Sequence, residues 1–94
     1  MKTHNLVFSS TAGKEEIAPL GTRGYVQFLV LSHSEATTQA VELYDQDDNL
    51  IARYEISPEA SPASVTFPKE RPFWFTNGLQ IDIGACTANV VVIK

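Results

Sequence analysis

Over residues 79–83 apolar and polar side chains alternate one by one, with Leu79, Ile81 and Ile83 on one face and Gln80 and Asp82 on the other. That period of two is the mark of a half-buried β-strand. Further strand-like stretches follow one another at short intervals. Residues 5–9 read as a first strand. Gly24–Ser32 is the longest, with Val26, Phe28 and Val30 on one face and Tyr25, Gln27, Leu29 and Leu31 on the other. Both its faces are largely apolar, which predicts a central strand covered on both sides. Residues 39–45 and 50–56 flank an acidic turn and predict a hairpin. Residues 64–67, 73–75, 79–83 and 89–93 complete the set. Helical spacing is not sustained anywhere. The stretch 34–41, with Thr37 and Thr38 at its middle, reads as a loop.

Turn chemistry agrees with this reading. Asn77-Gly78 tolerates positive φ and predicts a tight two-residue hairpin between "FWF" and "LQIDI", with Asn the best-tolerated replacement for Gly78. Gly84 is placed to take the next bend. Asp45 and Asn49 bracket the acidic turn, where such side chains bond to nearby backbone. The prolines of "SPEASP" predict a crossing loop, since proline cannot donate to a strand ladder. The expected fold is all-β: a single antiparallel β-sandwich over residues 1–94, jelly-roll-like or immunoglobulin-like, with seven to eight short strands. The polar, Ser/Thr-rich residues 1–12 read as a flexible arm that a partner could order.

Composition supports the β class and narrows the function. Eight Val, six Ile and eight Thr among 94 residues are β-branched, and nine more are aromatic. A net charge of −4 argues against a phosphate-backbone binder. The longest apolar runs, 28–31 and 90–93, hold four residues, too few to span a membrane, and the N-terminal residues lack the apolar core of a secretory leader. The single cysteine, Cys86, forms no internal disulfide and reads as a small buried thiol.

Candidate chemistry is sparse. Asp45, Asp47 and Asn49 have the spacing that opens a calcium loop. However, Leu50 stands where such a loop needs glycine, and Ile56 where it needs glutamate. The run "DQDDN" therefore reads as a hydrated turn. His4 and His33 have no metal spacing. No G-x-S-x-G elbow occurs, and "GTRG" lacks the length and lysine of a phosphate loop. The chain is expected to be no enzyme and to carry no metal or cofactor.

Two apolar excesses remain, at Phe73, Trp74 and Phe75 and at residues 90–93. Either both strands are buried above and below, or one face of each, through Phe73, Trp74, Phe75 and Val91, meets another chain. A third possibility makes Trp74 a stacking platform for a sugar.

The pieces "GYVQFLVLSHS", "VELYDQDDNLIARYEI", "SPEASPASVTF" and "FWFTNGLQIDIGACTANVVVIK", in that order over residues 21–94, resemble a family of small bacteriophage structural proteins encoded among head and tail genes. The resemblance implies a β-sandwich virion protein, a decoration or cement protein on the capsid surface, synthesised in the host cytoplasm. Its expected partners are itself, as a homotrimer, and the major capsid protein, with no nucleic acid or membrane. The alternative is a tail- or spike-associated recognition domain for a host-surface glycan. A glycan site would need two or three exposed rings beside carboxylates or amides, whereas an oligomer interface needs a contiguous apolar patch.

Overall fold

Alternation becomes strand pairing along almost the whole chain. The computed structural model describes residues 1–9, 11–68 and 70–94, with 11 and 12 described by backbone alone. Nine strands run through the described residues: β1 (Thr3–Phe8), β2 (Thr11–Ala18), β3 (Gly24–Ser32), β4 (Gln39–Tyr44), β5 (Leu50–Ile56), β6 (Ala63–Thr66), β7 (Phe73–Phe75), β8 (Leu79–Gly84) and β9 (Thr87–Ile93). All their pairings are antiparallel. They form two sheets, one ordered β1-β9-β3-β6 with β7 also paired to β3, the other β2-β8-β4-β5. The first strand thus pairs with the last, the second with the next to last, the third with the two before that, and the fourth with the fifth. This is one long hairpin rolled up on itself, the strand order of a jelly-roll sandwich. β6 and β7 share a lane, pairing with the two halves of β3.

The core lies between the sheets. Leu29, Leu31, Val90 and Val92 from the first sheet meet Val41, Leu43, Leu79, Ile81 and Ile83 from the second, all fully buried. Burying each such side chain contributes about 1.5–3 kcal/mol. Cys86 is buried among them as a free thiol.

Four expectations are corrected. Within the expected arm, Thr3–Phe8 is no free segment: it pairs residue by residue with β9, and Leu6 and Phe8 pack on the core, so the chain itself orders this strand. Ser10 lies outside the described residues. Second, β2 had no strand signal, because Gly13, Lys14, Glu15 and Glu16 fit a pleated surface poorly. It is an edge strand, broken by two register shifts, where charge discourages sheet-to-sheet aggregation.

Third, β3 does not alternate straight through. A bulge between Val26 and Phe28 inserts Gln27, so Val26 shares the core face with Leu29 and Leu31, while Phe28 and Val30 turn outward. Fourth, Asn77-Gly78 joins no hairpin. β7 belongs to the first sheet and β8 to the second, so the dipeptide is a crossing between sheets. Gly78 does have positive φ, +69°. The crossing is held by Gly78 N–H donating to Thr22 O (2.8 Å), Gln46 N–H to Asn77 O (3.1 Å) and Asn77 Nδ2 to Asp47 Oδ2 (2.7 Å).

Candidate functional site: two unlike outer faces and an aromatic cleft

The sandwich turns two chemically different faces outward. On the second sheet, pairing aligns Lys14, Asp82, Glu42 and Arg53 in one cross-strand row. Arg53 bonds Glu42 (3.0 Å) and Glu55 (3.3 Å), and the Tyr44 hydroxyl donates to Glu42 Oε1 (3.0 Å). Lys14 pairs with Asp48 (3.0 Å) and lies 4.0 Å from the Tyr44 ring centre. The carboxylate of Glu42 raises the Tyr44 phenol above its ordinary value by holding its proton. Charged and polar groups are laced across this face, with Leu50 and Ile51 exposed on its edge strand β5.

The β4–β5 turn closes one end of it. Asp45 Oδ1 accepts N–H bonds from Asp47 and Asn49, both 2.9 Å, and Asn49 Nδ2 donates to Oδ2 (3.1 Å). The Asn49 bonds, backbone first, hold the Asp45 carboxyl below its ordinary range. Asp48 is lowered chiefly by its bond from Lys14 and then by Gln80. Among the described residues no cluster of three or more His, Cys, Asp or Glu is arranged to hold a metal ion.

The outer face of the first sheet is different. Register places Val7, Asn89, Val30 and Ser64 in one row and Asn5, Val91, Phe28 and Thr66 in the next. A third row holds Thr3, Ile93, Tyr25 and Trp74. Val30, Phe28, Val91, Ile93, Tyr25 and Trp74 therefore form an oblique apolar band, with Trp74 56 % exposed at one corner of the sheet and Val7 67 % exposed at the diagonal one, beyond Asn89. Asn89 interrupts the band, its Oδ1 buried with no donor.

Strand parity divides the four expected interface residues. Trp74 and Val91 lie on this outer face, Val91 only 7 % exposed between Asn5 and Phe28. Phe75 is 3 % exposed in the core, and half-buried Phe73 packs against the core and against Phe67 (ring centres 5.2 Å). Neither Phe75 nor Phe73 is presented to a partner, because residues two apart on a strand share a face and here that face is the inner one.

Beside Trp74, where β6 ends and β7 begins, lies a cleft of about 380 Å³. Its lining includes Tyr25, Gln27, Phe67, Pro68, Pro72 and Trp74. Tyr25 and Trp74 are register partners, with ring centres 4.9 Å apart and planes tilted by 59°. Phe67 N–H donates to Gln27 O (3.1 Å), tying the bulge to the end of β6. Tyr25, Gln27 and Phe67 carry no sequence signal for this grouping. Only the pairing of β3 with β7 brings Tyr25 to Trp74.

Compared with known proteins, the chain matches no family model and no curated sequence.

Proposed function

We propose that this protein is a non-enzymatic bacteriophage virion protein that decorates the capsid as a homotrimer, clamping neighbouring subunits of the major capsid protein. The observation that carries this reading is the contrast between its two outer faces. One sheet pairs Lys14, Arg53, Glu42 and Glu55 within the chain and presents them to solvent. The other presents an apolar band to which Val7, Phe28 and Val30 contribute, the kind of surface that marks a contact between chains. The band lies along paired strands, so it is a preorganised surface and little order need be gained on docking. A protein that binds the assembled shell better than its loose subunits stabilises the shell by mass action, with no chemistry required.

Two measurements test it. Light scattering on the purified chain should give about three times the 10.3 kDa chain mass, and the protein should co-sediment with heads of a phage that encodes it. Val7→Asp should weaken both associations while leaving the far-ultraviolet circular dichroism unchanged. A 10.3 kDa species at micromolar concentration that ignores heads would overturn the proposal.

A further inference from the structure

We infer that the cleft beside Trp74 is a binding site for a neutral pyranoside, a saccharide ring stacked on the Tyr25–Trp74 pair and hydrogen-bonded by Gln27. This assignment does not rest on the virion reading. It uses the Tyr25–Trp74 end of the outer face, the corner diagonal to Val7.

Size, shape and chemistry argue together. At about 380 Å³ the space lies at the small end of ligand sites, right for one or two sugar rings. Two rings 4.9 Å apart, tilted by 59°, do not form a parallel slot. They present one angled platform, and the indole of Trp74, more than half exposed, supplies aromatic surface for the C–H groups of a pyranose. The described lining offers aromatic rings, prolines and the Gln27 amide, groups that suit the C–H face and hydroxyls of a sugar ring. Gln27 is exposed at the β3 bulge, where the extra residue takes it out of regular alternation. Its amide carries both donors and an acceptor, the complement of two neighbouring hydroxyls that each donate and accept.

A proline-rich peptide is less well matched. Its carbonyls can accept from Gln27 Nε2, but its prolines have no N–H or O–H to donate to Gln27 Oε1, whereas a sugar hydroxyl serves both. The platform is also firmly placed: Tyr25 and Trp74 sit on paired strands, and Phe67, tied to the bulge, packs on Phe73. Sites built on strands hold their geometry better than sites on free loops.

Trp74 is the sole tryptophan, so its fluorescence reports on the cleft directly. The full chain is titrated with methyl β-glucopyranoside, methyl β-galactopyranoside and a β-1,4-linked glucose trisaccharide, followed by that fluorescence and by amide NMR. At least one should bind saturably, with a dissociation constant on the order of millimolar for a single ring. Shifts should centre on Tyr25, Gln27, Phe67 and Trp74. Trp74→Ala should abolish the NMR shifts. Gln27→Leu should weaken binding about tenfold with the dichroism spectrum intact. No saturable change with any of the three sugars overturns the assignment. So do shifts centred elsewhere, or a decaproline peptide that moves these resonances when the sugars do not.

Discussion

Replacing Gly78 separates crowding from backbone conformation, because a second glycine in the same chain provides the control. Both Gly78 (φ +69°) and Gly84 (φ +55°) occupy the left-handed region, where any Cβ costs about 1–2 kcal/mol. At Gly84 an added Cβ meets nothing within 4 Å, so Gly84→Ala should cost only that amount. At Gly78 the same atom would lie 2.6 Å from Pro19 O, 2.7 Å from Ala18 O and 2.5 Å from Gln46 Cγ. None of the three moves freely. Pro19 O accepts Thr22 N–H (3.0 Å), and Ala18 O accepts Gln46 Nε2 (2.9 Å), which also anchors the glutamine. Overpacking of this kind adds about 1–3 kcal/mol, so Gly78→Ala should lose roughly 2–5 kcal/mol. That is a large share of the 5–15 kcal/mol available to a domain of this kind. Asparagine tells the two effects apart. It tolerates left-handed backbone, so Gly84→Asn should be milder than Gly84→Ala. At Gly78 it carries the same colliding Cβ and further atoms, so Gly78→Asn should be at least as damaging as Gly78→Ala. Urea midpoints of the four variants, fitted with their slopes, measure this, and Gly78→Ala should fall about 1–2 M below Gly84→Ala. Equal alanine costs at the two sites, or a rescue by asparagine at Gly78, would refute the collision.

Acid stability should depend on the β4–β5 turn. Asp45 and Asp48 have folded values below the ordinary carboxylate range, so the unfolded chain binds more protons on acidification. Their contribution is complete above about pH 4 and is lost as the pH falls further. Thermal midpoints of the Asp45→Asn, Asp48→Asn double variant should show a flatter acid slope than the parent, and an unchanged slope would contradict this. Burial raises the Cys86 thiol above its ordinary value, so a chromogenic disulfide should leave it unmodified in the native protein at pH 8. It should react fully in urea, and rapid native labelling would show that the core opens there. Calcium or a chelator should move the thermal midpoint by no more than about a degree, since a cation bound only by the native state would raise it. Both oxygens of Asp45, Oδ2 of Asp47 and Oδ1 of Asp48 are already engaged by N–H groups, Asn49, Asn77, Lys14 and Gln80. A rise of several degrees would mean that calcium displaces those bonds.

Local pattern carried much of this molecule. Leu79, Ile81 and Ile83 were legible as the inward set because a strand must alternate, and the acidic turn was legible because Asp45 and Asn49 make their bonds within five residues. Those interactions close over short distances, so the residues alone decide them. Partner choice does not close locally. Asn77-Gly78 is compatible with a hairpin or a crossing, and it crosses because β8 pairs with β2 and β4 rather than with β7. Alternation says that Trp74 opposes Phe73 and Phe75, but not which side meets the core. The pairing of β7 with β3 settles that, sending Phe75 inward and Trp74 out beside Tyr25. The Gln27 bulge likewise leaves no mark in composition, yet it reverses the parity of half of β3, turns Phe28 and Val30 outward and sets Gln27 in the wall of the cleft. β2 shows the same limit from the other side: Lys14, Glu15 and Glu16 argue against a strand until β8 supplies its ladder. The sequence by itself determined an all-β chain with its turns and most of its strands, because periodicity and turn chemistry are local. Which faces meet, which stay bare, and where aromatic rings converge belong to the tertiary structure, because they depend on pairings between residues far apart along the chain.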